Sequence, residues 1–168
     1  PADIKPVFDE KLDTWVAPFF MAPINTKNIH RSNSLMNHFY GEDFCYNEMW
    51  VQGSGDAGKA AADFISSSNP LSDAPKPGEG PSRESRENGN YDVLFCGDID
   101  EQSVHVSVKG DMDPGYGSTS KMISESAICL VKECEDLHGG IYTPAPAMGT
   151  KLIQRLQDNA GLTFEIEN

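Results

Sequence analysis

The chain has 168 residues and a formal net charge of −13, from 13 basic and 26 acidic side chains. That length suits one domain, or at most two small ones, and allows a sizeable buried core. The negative charge disfavours nucleic acid and anionic membrane surfaces as partners, because both repel a net anion. No apolar run is long enough to span a membrane, and no signal peptide is visible. The absence of an initiating Met suggests a processed chain or a piece of a longer protein.

The four cysteines indicate a reduced, cytoplasmic protein without a metal site. Cys45, Cys96, Cys129 and Cys134 form neither a Cys-x-x-Cys pair nor a Cys/His pair at metal-ligand spacing. We therefore expect four free thiols, most of them buried as small apolar side chains.

The first part of the chain predicts two helices separated by a strand. Residues 14–21 are apolar and compact, which is typical of a buried approach to a first helix. Asn25 or Thr26 could cap that helix, which would run to about residue 37. The aromatic and apolar residues of 43–52 favour a strand, and the alanine-rich segment 57–66 favours a short helix.

Residues 66–90 interrupt this pattern with four prolines separated by Ser and Gly. They predict a long exposed loop within a single domain that spans 1–168. Such a loop is either functional or a solvated connector, and the composition leaves both interpretations open. A hairpin follows, because apolar residues alternate over 91–96 and 104–109 on either side of a turn.

Two amphipathic helices come next. The first starts near residue 118, where Ser118 or Thr119 can cap it. Its predicted inward face, at a spacing of three to four residues, comprises Met122, Ile123, Ser126, Ala127, Leu130, Val131 and Cys134. The second helix covers 148–159 and ends before a glycine.

A closing strand over 162–167 completes the pattern. Because a hairpin excludes an all-parallel sheet, we expect an α+β fold in two layers. Its sheet would be mixed and largely antiparallel, with the helices packed on one face.

A glycine-rich motif lies between the predicted strand and helix of the first part. Residues 53–59 read Gly-Ser-Gly-Asp-Ala-Gly-Lys, but Ala60 stands where a P-loop needs Ser or Thr. Asp56 would also place a carboxylate against the phosphates. As a dinucleotide fingerprint the motif lacks a second strand that ends in an acidic residue. We therefore interpret it as a helix start with flexible glycines, and keep nucleotide binding as a minor hypothesis.

The densest functional-looking stretch is 113–122, Asp-Pro-Gly-Tyr-Gly-Ser-Thr-Ser-Lys-Met. Pro114 and Gly115 predict a tight turn that leads into a helix start, whose free amides could bind an anionic group. Tyr116 offers a hydroxyl and an aromatic face there, and Lys121 could reach a carboxylate. A capped helix with a packed tyrosine is the alternative.

Four segments together resemble the second domain of saccharopine-dehydrogenase-like oxidoreductases, the group that includes the trans-acting enoyl reductases. They are 15–26 with 31–33, 77–82 with 86–89, 110–122, and 139–149 with 152–156, and they stand in the order typical of that family. Residues 43–69 match poorly.

The resemblance implies a C-terminal substrate and dimerisation domain that lacks its N-terminal Rossmann partner. NAD(P) would be bound mainly by the absent domain, so this chain would carry no cofactor and would be inert alone. The implied partners are a small-molecule substrate, the Rossmann domain and a second copy in a homodimer. The substrate-cleft candidates are Asp113, Pro114, Gly115, Tyr116, Thr119, Lys121, Asn25, Thr26 and Arg31. Arg31 would grip a carboxylate or phosphate with its forked guanidinium.

The competing hypothesis is a stand-alone binding or assembly module without redox activity. The residues assemble no Ser/His/Asp or paired-carboxylate constellation, so the catalytic residues are left unassigned.

Overall fold

A computed structural model describes residues 5–68, 75–76 and 78–167. The chain divides into two compact units, Pro1–Ala74 and Pro75–Asn168. The single domain over 1–168 stays a prediction.

The first unit is a three-stranded antiparallel sheet with two helices. Its strands are β1 (Val7–Asp9), β2 (Thr14–Pro18) and β3 (Met49–Gly53), in the order β1-β2-β3, and its helices are α1 (Ala22–Leu35) and α2 (Gly55–Ser67). The central strand β2 buries Val16 and Ala17, and α2 buries Ala62. The segment 14–21, predicted as an approach to a helix, therefore contains the middle strand of a sheet.

Helix α1 begins three residues earlier than its predicted cap. Met21 precedes it without a side-chain cap, and Pro23 lies in its first turn, where the missing N–H costs nothing. Asn25 and Thr26 are consequently inside the helix, so the prediction that either caps it is wrong.

The glycine motif forms the connection from β3 to α2. Gly58 lies so close to the preceding turn that a Cβ on it would be 1.9 Å from the carbonyl oxygen of Gly53. Lys59 pairs with Asp63 at 2.9 Å, and its ammonium lies 5.4 Å from the ring centroid of Trp15. The motif therefore packs a helix against a turn, and its lysine is already engaged.

The second unit is also a three-stranded antiparallel sheet with helices. Its strands are β4 (Tyr91–Ile99), β5 (Gln102–Gly110) and β6 (Leu162–Glu167), in the order β4-β5-β6, and its helices are α3 (Arg83–Glu87), α4 (Gly117–Glu133) and α5 (Pro144–Asn159). Helix α5 is broken at Gly149, whose φ of 51° and ψ of −135° suit glycine. Helix α3 lies within the segment 66–90 that the sequence predicts as loop. Residues 69–74 and 77 of that segment are outside the described residues.

The predicted α+β class is confirmed. The strands form two separate sheets in which every described pairing is antiparallel, instead of one mixed sheet. The core of the second unit is built by Leu156, Ala160 and Leu162, with Val108, Met122, Leu152 and Phe164 packed around them. Helices α4 and α5 thus cover one face of the sheet.

Helix α4 turns only part of its predicted face inward, since Met122 packs against the core and Ser126 and Cys134 are half-buried. Ile123, Leu130 and Val131 are 67%, 42% and 72% exposed, whereas Cys129 is fully buried. The observed orientation of α4 has an electrostatic cause as well as an apolar one, because the guanidinium of Arg155 on α5 pairs with two glutamates of α4. It donates to Glu125 at 2.6 Å and to Glu133 at 2.7 Å, which fixes the rotation of α4.

None of the four cysteines forms a disulfide. Cys129 is buried, Cys134 is half-buried, and Cys45 and Cys96 are exposed, so the expectation that most of them are buried is wrong. Burial raises the pKa of the Cys129 thiol, which keeps it protonated.

Among the described residues, no helix is long and apolar enough to cross a membrane. Within the same ranges, no group of three or more His, Cys, Asp or Glu side chains could hold a metal ion.

Candidate functional site

An open cleft of about 590 Å³ lies in the second unit, between α3 and the start of α4. Its lining combines two guanidinium groups, one carboxylate, one aromatic ring and one hydroxyl. These residues are Arg83, Arg86, Glu87, Met112, Tyr116, Gly117 and Ser120. Tyr116 is the predicted cleft residue whose side chain lies in this wall.

Backbone contacts hold the two walls of the cleft together. The amide of Asp113 donates to the carbonyl of Arg86 at 3.0 Å. A Cβ on Gly89 would lie 2.6 Å from the Cα of Asp113, and one on Gly117 would lie 3.1 Å from the Arg86 carbonyl oxygen. Glycine at these two positions therefore lets 86–89 and 112–117 pack backbone against backbone. Two of the segments that carry the family resemblance meet here.

Asp113 organises the loop that precedes α4. Its carboxylate accepts hydrogen bonds from the amides of Gly115, Tyr116 and Gly117, at 2.9, 3.1 and 2.6 Å. These bonds, with the largest contribution from Gly117, hold the pKa of the Asp113 carboxyl below its ordinary value. The sequence predicted that these amides are free to bind an anionic ligand. That prediction is wrong, because the carboxylate of Asp113 already supplies the anion.

The side chains of two more predicted cleft residues are bonded to other groups of the second unit. The hydroxyl of Thr119 donates to the carbonyl of Pro114 at 2.6 Å. The ammonium of Lys121 pairs with Asp111 at 3.4 Å. Pro114 and Gly115 form the turn itself. These residues shape the loop, and none of their side chains lines the cleft.

Tyr116 is different, because its side chain is 48% exposed and faces the cleft. A Cβ on Gly80 would lie 3.8 Å from Cε1 of Tyr116. The Tyr116 ring therefore lies beside the glycine-rich segment 78–80. The exposed part of the ring is open to a ligand in the cleft.

The remaining candidates, Asn25, Thr26 and Arg31, belong to α1 of the first unit. The amide of Asn25 donates to Glu48 at 2.9 Å, and Glu48 also accepts the hydroxyl of Tyr46 at 2.7 Å. Burial and that bond to Glu48 raise the pKa of Tyr46. The hydroxyl of Thr26 is buried without a hydrogen-bond partner among the described residues, and Arg31 is exposed.

Sequence reasoning missed the other residues that line the cleft, which are Arg83, Arg86, Glu87, Met112, Gly117 and Ser120. Arg86 is one of the residues that carry the family resemblance, so the sequence did contain an indication that Arg86 belongs to a functional site. The spacing of Arg86 from Tyr116 along the chain gives no indication that the two share a cleft, because long-range backbone packing brings them together.

We expect Asp113→Ala to destabilise the protein by about 1–2 kcal/mol at neutral pH, the usual cost of losing an acceptor at a helix start. Since the folded-state pKa of Asp113 is lowered from 3.8, its contribution is complete above that value. It is lost as the pH falls through the lowered pKa. Urea unfolding at pH 7 and through the acid range measures both effects.

The wild-type protein should therefore lose more stability than Asp113→Ala on acidification. Asp136→Ala, which removes an exposed carboxylate, is the matched control and should track the wild type at every pH. Parallel acid curves for wild type and Asp113→Ala would contradict the assignment.

Comparison with known proteins places these features in context. No family model and no solved structure matches the chain. It is 33% identical, over 168 aligned residues, to "Putative trans-acting enoyl reductase" of Mycobacterium tuberculosis strain H37Rv, covering 88% of this chain and 40% of that protein. It is 29% identical over 162 residues to proteins named trans-acting enoyl reductase of Mycobacterium ulcerans and Mycobacterium bovis, covering 84% of this chain and 39% of each.

The chain thus spans about 40% of the length of the curated relatives it matches.

Proposed function

We propose that this chain is the substrate-side domain of an NAD(P)-dependent oxidoreductase of the saccharopine-dehydrogenase-like kind. The observation that carries the proposal is the 33% identity over most of this chain to a part of a protein named as an enoyl reductase. In that arrangement the cleft beside Tyr116 receives the substrate, and its walls orient the substrate and exclude water.

The described residues do not fit a dinucleotide. The glycine turn at 53–58 lies next to an antiparallel sheet, whereas the dinucleotide fold needs parallel strands. Gly58 packs against the carbonyl of Gly53, and Lys59 is paired with Asp63. We therefore assign NAD(P) to a part of the protein outside this chain.

The test compares this chain with a protein in which it is joined to an N-terminal Rossmann domain. We expect the joined protein to oxidise NADPH or NADH in the presence of an α,β-unsaturated acyl thioester, and this chain alone to show neither turnover nor binding of either cofactor. Tight binding of NADPH by this chain, or no redox activity in the joined protein with any such thioester, would contradict the proposal.

A homodimer and a cytoplasmic location belong to the same proposal. The dimer is supported by the outward face of α4, where Ile123, Leu130 and Val131 form an uncharged apolar stripe on a strongly acidic protein. The location is supported by the four free thiols.

The same stripe favours the second candidate, a binding or assembly module without redox activity. Light scattering of the wild type and of Val131→Lys tests the stripe: a dimer that becomes a monomer supports self-association. An assembly without any turnover in the joined protein would favour the second candidate.

A further inference from the structure

The guanidinium of Arg86 stands out among the cations of the second unit. Arg83 pairs with Glu87 at 2.6 Å, Lys121 pairs with Asp111, and Arg155 pairs with two glutamates. Arg86 is half-buried in the cleft wall, and its side chain makes no hydrogen bond or ion pair with any described residue.

None of the Arg86 guanidinium nitrogens is among the buried polar atoms of the described residues that lack a hydrogen-bond partner, so its five N–H donors reach solvent at the cleft and can be offered to a ligand. Two carboxylates near Arg86, those of Glu87 and Asp113, already accept hydrogen bonds from other donors. Glu87 accepts from Arg83, and Asp113 accepts from three backbone amides. The positive charge of Arg86 contributes to the lowered pKa of Asp113. The guanidinium forms no hydrogen bond with that carboxylate, so its forked donors stay available toward the cleft.

The position of Arg86 is fixed by the backbone and not by its own side chain. Its carbonyl accepts from Asp113, and Gly89 packs against the same residue. On the opposite wall, the ring of Tyr116 is half-exposed and lines the same cleft. A cationic fork and an aromatic face across a small open cleft suit a ligand with an oxyanion and an apolar part.

We propose that Arg86 binds a carboxylate or phosphate-ester oxyanion of the substrate in this cleft, beside the ring of Tyr116. The proposal rests on the proposed function in that it treats this cleft as the substrate cleft. Binding of a simple oxyanion nevertheless needs neither the cofactor nor another domain, so it can be measured on this chain directly.

The experiment follows the arginine Nε–H resonances of the ¹⁵N-labelled chain during titration with inorganic phosphate, and separately with propionate, at constant ionic strength. We expect the Arg86 resonance to shift and saturate with at least one of them. Arg155 is an internal control, because two glutamates hold its terminal nitrogens and its Nε is buried away from the added anion. The tighter of the two probes identifies the source as a phosphate ester or a carboxylate.

Two variants make the assignment specific. Arg86→Gln should weaken binding by at least about 10-fold, the usual loss for a charge-assisted hydrogen bond. Lys132→Gln changes the net charge equally at an exposed position of α4, and should leave the dissociation constant within about 2-fold. Arg86→Lys should bind more weakly than wild type because a single ammonium replaces the fork.

Shifts that stay linear with concentration and spread over all exposed cations would overturn the proposal, as would an unchanged affinity in Arg86→Gln. The experiments distinguish failure of the Arg86 anion site from failure of the proposed oxidoreductase function. Redox turnover in the joined protein with no effect of Arg86→Gln on KM or kcat refutes only the anion site. Saturable binding without any turnover refutes only the oxidoreductase.

Discussion

Replacing Leu156 with Ala should destabilise the second unit by about 2–5 kcal/mol, whereas Leu130→Ala should cost less than about 1 kcal/mol. Leu156 is 8% exposed and lies at the centre of the core with Ala160 and Leu162. Its truncation removes buried apolar area and leaves a cavity that the sheet and the two helices cannot close. Leu130, at 42% exposure, points away from that core.

The two variants are matched because each removes the same three carbon atoms from a leucine on a helix of the same unit. Urea unfolding followed by far-ultraviolet circular dichroism gives both free energies of unfolding. The sequence predicted Leu130 as a core residue, so equal losses for the two variants would restore that interpretation and contradict the observed rotation of α4.

Local patterns were enough to predict most elements of the second unit. The alternation of apolar residues in the hairpin and in 162–167 is a signal carried by each segment alone, and the strands β4, β5 and β6 appear where it predicts them. Helix α4 was also predicted within a residue or two of its start. Its inward face was predicted only in part, because two overlapping stripes that share Met122 satisfy helical spacing and the Arg155 pairs select between them.

The first unit was harder to predict for a physical reason. Strand β2 has five residues and ends in Pro18, so it is too short to show a clear alternation. Its strand character comes from its pairing on both sides, with β1 and β3. That pairing is long-range, and the sequence of the strand alone does not contain it.

The candidate cleft shows the same division between local and long-range information. The turn at 113–117 was recognised from its Pro, Gly and Tyr, and the structure places Tyr116 in the cleft wall. The role of Asp113 was not recognised, because an acceptor of three amides looks the same in sequence as a substrate-binding carboxylate. Arg86 was missed because only the packing of Gly89 against Asp113 brings it to Tyr116.

The second large effect is expected in the first unit, where Gly58→Ala should destabilise the protein by about 2–3 kcal/mol. The new methyl group would meet the carbonyl oxygen of Gly53 at 1.9 Å and its carbon at 2.4 Å. Alanine is the better helix former by up to about 1 kcal/mol. The clash outweighs that gain because the obstructing atoms are backbone, so the connection from β3 to α2 must move.

Tryptophan fluorescence suits the measurement, since Trp15 and Trp50 both lie in the sheet of this unit. Ser67→Ala at the exposed end of α2 is the control and should change stability by less than about 0.5 kcal/mol.

Lys59→Ala decides between the two interpretations of the glycine motif. If the motif serves packing, Lys59→Ala folds normally and wild type and variant alike show no phosphate-dependent ATP binding. ATP binding that is lost in Lys59→Ala, together with a fully stable Gly58→Ala, would return the motif to nucleotide binding.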